Sequence, residues 1–158
     1  MLYLGADHAG FKLKEFLKKY FYSKKIKYKD LGTYSEEPVD YPDIAFKVAK
    51  RVAKETQERQ SLSGRRKCKA FSCEARGILV CGTGVGVCIA ANRIKEVRAA
   101  LGYDEYYAKM SREHNDANVL CLRGWNVDFK KQAKIADIWL KTKFDNVPRR
   151  RRRNAKLK

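Results

Sequence analysis

The chain has 158 residues, of which 44% are hydrophobic, and a formal charge of +18. That length and composition suit one domain with a sizeable core and exclude a disordered polyelectrolyte. No apolar run can cross a bilayer and no early segment has signal-peptide architecture, so a cytoplasmic protein with no membrane role is expected.

Leu2–Gly5 reads as a first strand that runs into Ala6-Asp7-His8-Ala9-Gly10. Behind it, Leu13, Phe16, Leu17 and Tyr20 recur at helical spacing, with lysines on the other face. Ile26–Leu31 alternates with lysines as a second strand. The loop Gly32–Pro38 closes on Val39-Asp40-Tyr41-Pro42, and Asp43 suits the cap of a second helix. That helix has Ala45, Val48, Ala49 and Val52 as its inward stripe. Glu58–Arg76 then breaks the rhythm. It is polar, lacks clear periodicity, and its portion from Arg59 carries six basic residues against Glu74. It reads as a solvated basic insertion, long for a connection inside a compact domain.

Gly77–Asn92 is the densest stretch, reading GILVCGTGVGVCIAAN. A strand, Gly77–Cys81, meets glycines at 82, 84 and 86, and a helix from Val87 to about Lys95 follows. Such a turn aims backbone N–H groups at one point and favours an anion there. Cys81, at the strand end beside a helix start, occupies a setting that favours a thiolate. The pattern is neither the dinucleotide fingerprint nor a P-loop. From the residues alone, a ligand-binding turn and a tight turn with a structural cysteine both remain open.

Val97–Leu101 is a fourth strand, and Asp104 opens a helix expected to carry Tyr107 and Met110 toward the core. That helix runs out near Ser111-Arg112-Glu113-His114-Asn115-Asp116. Val119–Leu122 is a fifth strand, and a last helix spans about Val127–Lys143, with Phe129, Ala133, Ala136 and Leu140 on one face. The tail, 149–158, holds five Arg and two Lys with no acid. Five cysteines (68, 73, 81, 88 and 121) lack framework spacing and read as free thiols, and Cys68 and Cys73 have no partner pair for zinc.

Strand and helix alternate throughout, which predicts the α/β class: a three-layer αβα, Rossmann-like sandwich on a five-stranded parallel sheet, one domain over 1–158. Ligands gather at the carboxyl edge of such sheets. That rule collects Asp7, His8, Cys81 and Thr83. His114 follows a helix, so it lies at the opposite edge of its own subunit, and sharing one site would require a neighbouring copy.

With these motifs assembled, the chain resembles the ribose-5-phosphate isomerase B family, which includes galactose-6-phosphate isomerase subunits. The matching residues are Gly-Ala-Asp7-His8-Ala-Gly-Phe-Lys, Val-Asp40-Tyr41-Pro42, CGTGVGV from Cys81, Ile-Ala-Ala-Asn92, Ser-Arg-Glu-His114-Asn115-Asp116 and an arginine pair spaced by four. The resemblance implies a cofactor-free, metal-free aldose–ketose isomerase acting on ribose 5-phosphate through a cis-enediol(ate). By motif, Cys81 would be the base and Thr83 would place its thiol. Backbone amides across Gly82, Thr83, Gly84, Val85 and Gly86 would hold the enediolate. His114 would open the furanose ring, with Asn115 beside it, both from the partner of a homodimer or tetramer. Asp7 would bind hydroxyls or relay a proton, His8, Arg149 and Arg153 would grip the phosphate, and Tyr41 would line the pocket. Two departures stand out. Val87 replaces the Glu base of some members, and Trp125 replaces an arginine common after the fifth strand, with Arg123 nearby. A six-carbon sugar phosphate, such as galactose or allose 6-phosphate, is the alternative substrate. A nucleic-acid-binding role, motivated by the basic segments, ranks below both.

Overall fold

In the computed structural model, which describes residues 1–63 and 75–157, five strands form one parallel sheet. They are β1 (Leu2–Ala6), β2 (Tyr28–Asp30), β3 (Arg76–Cys81), β4 (Ala99–Leu101) and β5 (Val119–Arg123), in the order β2-β1-β3-β5-β4. The helices are α1 (Phe11–Ser23), α2 (Tyr41–Ser63), α3 (Val85–Ala91), α4 (Glu105–Asn115), α5 (Phe129–Lys141) and α6 (Pro148–Ala155). The expected fold class is the one observed. None of the described helices is long and apolar enough to cross a membrane.

The central strands are apolar at nearly every position because helices cover both sheet faces. Leu4, Ile78, Val80, Leu120 and Leu122 meet Leu13, Leu17 and Phe21 of α1 and Ala133, Ala136 and Trp139 of α5. The alternate residues Tyr3, Leu79, Cys81, Val119 and Cys121 meet Ala45, Val48, Ala49 and Val52 of α2 and Val87 of α3. Register places Leu4 beside Ile78 and Ile78 beside Leu120, so each face is a continuous apolar row.

Several boundaries move from the expected ones. α2 begins at Tyr41, so Asp43 lies in its first turn, where a carboxylate still favours the helix dipole, and does not cap it. The same helix continues to Ser63, and buried Arg76 opens β3. The expected insertion therefore begins as helix and ends as strand. Its middle, 64–74 with Cys68 and Cys73, lies outside the described residues. α3 starts at Val85, two residues early, because Gly84 at its N-cap takes φ +81°. It ends at Ala91, where Asn92 Nδ2 turns back to the carbonyls of Cys88 and Ala99.

Asp104 does cap α4, its carboxylate accepting the Tyr107 N–H at 2.8 Å. Tyr107 itself faces solvent and Met110 is half-buried, while Ala108, Ser111 and Arg112 turn inward. The inward face follows from Trp139. Its fully buried indole is met by the guanidinium groups of Arg76 and Arg112, whose central carbons lie 5.4 and 5.8 Å from the ring centroid. The basic tail is also structured. α6 starts at Pro148, whose fixed φ suits a first helical position, and meets the end of α4 through Arg150 and Asn154.

Candidate active site

The end of β3 and the turn after it form the centre of the site. Cys81 is buried, and its Sγ accepts the Gly84 N–H at 3.1 Å. Gly84's positive φ makes that reach possible at little cost for glycine. Val85 N–H turns to Thr83 Oγ1 at 3.3 Å. The sulfur is thus placed by the same turn that starts α3. Of the other described free cysteines, Cys121 lies in the core, where burial pushes its thiol well up.

An aromatic ring lies against each end of the glycine turn. A Cβ on Gly86 would sit 2.8 Å from two atoms of the Tyr41 ring, and one on Gly82 would sit 2.8 Å from three atoms of the Trp125 indole. Neither glycine has room for a side chain without moving a ring. Both rings keep substantial exposure, 41% for Tyr41 and 55% for Trp125.

Asp7 and His8 reach the same edge from β1, the adjacent strand. Asp7 caps a single 3-10 turn, its Oδ1 accepting the Gly10 N–H at 2.9 Å. Burial pushes the Asp7 carboxyl above its ordinary value, although the Gly10 N–H and neighbouring His8 pull the other way. His8 Nδ1 accepts the Val39 N–H at 3.2 Å, which anchors the segment leading to Tyr41. The loop before it is fixed by buried Lys14, whose Nζ donates to both oxygens of Asp30 and to the Thr33 carbonyl.

His114, Asn115, Arg149 and Arg153 lie at the opposite edge, where β4 and β5 begin. Arg112 binds Asp116 and the Ala117 carbonyl, and Arg98 binds the carbonyls of Asn115 and Asp116. These two arginines tie down the end of α4 and leave the His114 imidazole 40% exposed, with Nε2 3.6 Å from Glu113 Oε1. α6 packs there: Arg150 pairs with Glu113 and, in a short contact, with Asp145, and Asn154 donates to the His114 carbonyl. Arg149 and Arg153 sit one turn apart on an adjoining exposed face of the helix.

The structure therefore brings Asp7, His8, Tyr41, Cys81, Thr83 and Gly82–Gly86 together and groups His114 with the tail arginines. Within one chain it does not join the two sets. One site residue, Lys14, was missed from sequence, and a second, Trp125, was noted there only as a departure. Lys14 stands among lysines assigned to the solvent face, and only its pairing with Asp30 at the end of β2 marks it. Trp125 was visible as a departure, and the Gly124–Asn126 turn at the same sheet edge was the clue to its place.

A glycine turn at the carboxyl edge of a doubly wound parallel sheet, the edge where ligands gather in such folds, defines the class: an α/β protein with a candidate small-ligand site there. Residues 2–157 match the Ribose/Galactose Isomerase family model, and the chain belongs to that family. It is 38% identical over 152 residues to the probable ribose-5-phosphate isomerase B of Mycoplasma genitalium, covering 96% of this chain and 90% of the relative. It is 36% identical over 141 residues to ribose-5-phosphate isomerase B of Escherichia coli, covering 89% and 83%. Among solved structures, the Mycoplasma genitalium enzyme with bound ribulose-5-phosphate superposes with TM-score 0.84 at 38% identity, covering 99% of this chain and 92% of that one. The Thermotoga maritima ribose 5-phosphate isomerase gives 0.81 at 40% identity, covering 99% and 95%.

Proposed function

We propose that this protein interconverts ribose 5-phosphate and ribulose 5-phosphate through a cis-enediolate, with Cys81 as base and no metal. The observation that carries this reading is the Cys81 Sγ held 3.1 Å from the Gly84 N–H at the mouth of a glycine turn. Moving a proton between C2 and C1 needs one base within reach of both carbons and donors for the oxygen that becomes negative. Gly84 and Val85 N–H groups are turned to Cys81 and Thr83. The enediolate cradle therefore rests on the amides of Gly82, Thr83 and Gly86. Asp7, on the neighbouring strand, takes the sugar hydroxyls or passes a proton between O1 and O2.

Ring opening is assigned to His114, with Asn115 beside it, and phosphate binding to His8, Arg149 and Arg153, since guanidinium groups grip phosphate through two N–H donors. Because the two sets occupy opposite edges, the working unit in this reading is a homodimer in which each copy completes the other's site. Tyr41 lines the pocket, and the protein acts in the cytoplasm as one domain over 1–158.

A coupled isomerisation assay tests the proposal. Wild type turns over ribose 5-phosphate and keeps its rate in a chelator, while Cys81→Ala loses turnover and retains detectable substrate binding. Near-native turnover by Cys81→Ala overturns the cysteine base, and loss of wild-type activity to chelator overturns the metal-free reaction.

A further inference from the structure

After β5 ends at Arg123, the chain turns at once through Gly124, Trp125 and Asn126. Two backbone bonds tie this turn to the end of β3: Gly124 N–H donates to the Cys81 carbonyl at 2.8 Å, and Trp125 N–H to the Gly82 carbonyl at 3.1 Å. A Cβ on Gly124 would sit 2.8 Å from the Ala9 carbonyl oxygen, so the turn also abuts the segment that carries Asp7 and His8. Asn126, at φ +50°, completes the reversal. The backbone of Trp125 is thus fixed to the residue proposed as base and to its neighbour.

Its side chain is placed as closely. The Cβ position on Gly82 is 2.8 Å from Cδ2, Cε3 and Cη2 of the indole. Cδ2 and Cη2 are opposite corners of the six-membered ring, so that point lies over the ring's centre and a Gly82 Cα–H faces the ring. One indole face is occupied by the turn, and the side chain still keeps more than half its exposure.

We infer that Trp125 is a positioning and specificity residue of this site, a fixed wall against which the carbon-bound hydrogens of an aldose phosphate pack and which favours five carbons over six. The inference rests on the isomerase reading above. An aromatic face carries partial negative charge and attracts the slightly positive hydrogens on sugar carbons. A wall anchored by two backbone bonds does not retreat for a longer chain, and discrimination of one carbon unit in a pocket is worth about 10–200-fold.

The test compares wild type, Trp125→Ala and Trp125→Phe on ribose 5-phosphate and allose 6-phosphate. Trp125→Ala should lower kcat/KM for ribose 5-phosphate about tenfold without lowering it for the six-carbon sugar, and Trp125→Phe should keep most of the selectivity. Emission gives a second readout, because the only other tryptophan, Trp139, is fully buried. Ribose 5-phosphate should change the emission of wild type and Trp139→Phe but not of Trp125→Phe. An equal fall on both sugars, or an emission change that persists in Trp125→Phe, overturns the wall. A wild type inactive on both sugars overturns the isomerase reading instead.

Discussion

Cys81 and His114 belong to opposite edges of one sheet: Cys81 ends β3 beside Arg123, and His114 lies in the last turn of α4, whose end is bound by Arg98, the residue that leads into β4. The length of β5, about 13 Å at the usual rise per residue, separates the two edges. Mixing two inactive variants exploits this. Cys81→Ala and His114→Ala, unfolded together and reassembled, should recover about one quarter of wild-type activity, because half the dimers are mixed and each has one intact site. No recovery would place both residues in the same chain's site.

Asp7 combines burial with a carboxylate, so it should trade stability for function. Its raised folded-state value means that the protonated form is favoured by folding. That stability is present below the ordinary carboxylate range and is lost as pH rises through the folded value. Asp7→Asn keeps an acceptor for the Gly10 N–H and removes the charge. The variant should melt about 2–4 °C higher and turn over about 100-fold more slowly, measured by calorimetry and the coupled assay.

Asp30 titrates in the opposite sense. Burial pushes its carboxyl up, but the Lys14 ammonium, the Gly32 N–H and Lys18 outweigh this and hold it below its ordinary value. The stability gained is present above the ordinary carboxylate range and is lost as pH falls through the folded value. Lys14→Met leaves the carboxylate without its main partner and should cost about 3–5 kcal/mol at neutral pH. Urea titrations should also show a shallower acid loss for this variant than for wild type.

Gly10 touches backbone. A Cβ there would lie 2.6 Å from the Val80 carbonyl oxygen and 2.7 Å from its carbon, neither of which can swing aside. Gly10→Ala should cost about 1–3 kcal/mol and lower activity as well, since the Gly10 N–H holds Asp7. Equal urea midpoints for variant and wild type would contradict that packing.

The sequence was most legible where periodicity meets burial. Ala45, Val48, Ala49 and Val52 are fully buried at their expected spacing, and the glycine turn stands where its pattern put it. Legibility failed where a distant partner decides. Arg112 faces inward because Trp139 and Asp116 receive it, which turns Tyr107 outward. The arginine run shows no helix in the sequence because α6 has no apolar stripe, and its docking depends on Glu113, Asp145 and the His114 carbonyl. Trp125 is adjacent to Gly82 only because β3 and β5 are neighbours in the sheet, 43 positions apart in the chain.

The two outermost strands, β2 and β4, have three residues each. Borders this short give another molecule almost no ladder to extend, which protects the monomer from edgewise aggregation during synthesis. A lasting union of two copies is therefore favoured through side chains of the helices and loops rather than through strand pairing. Swapping those side chains would retune assembly while leaving the strand framework untouched.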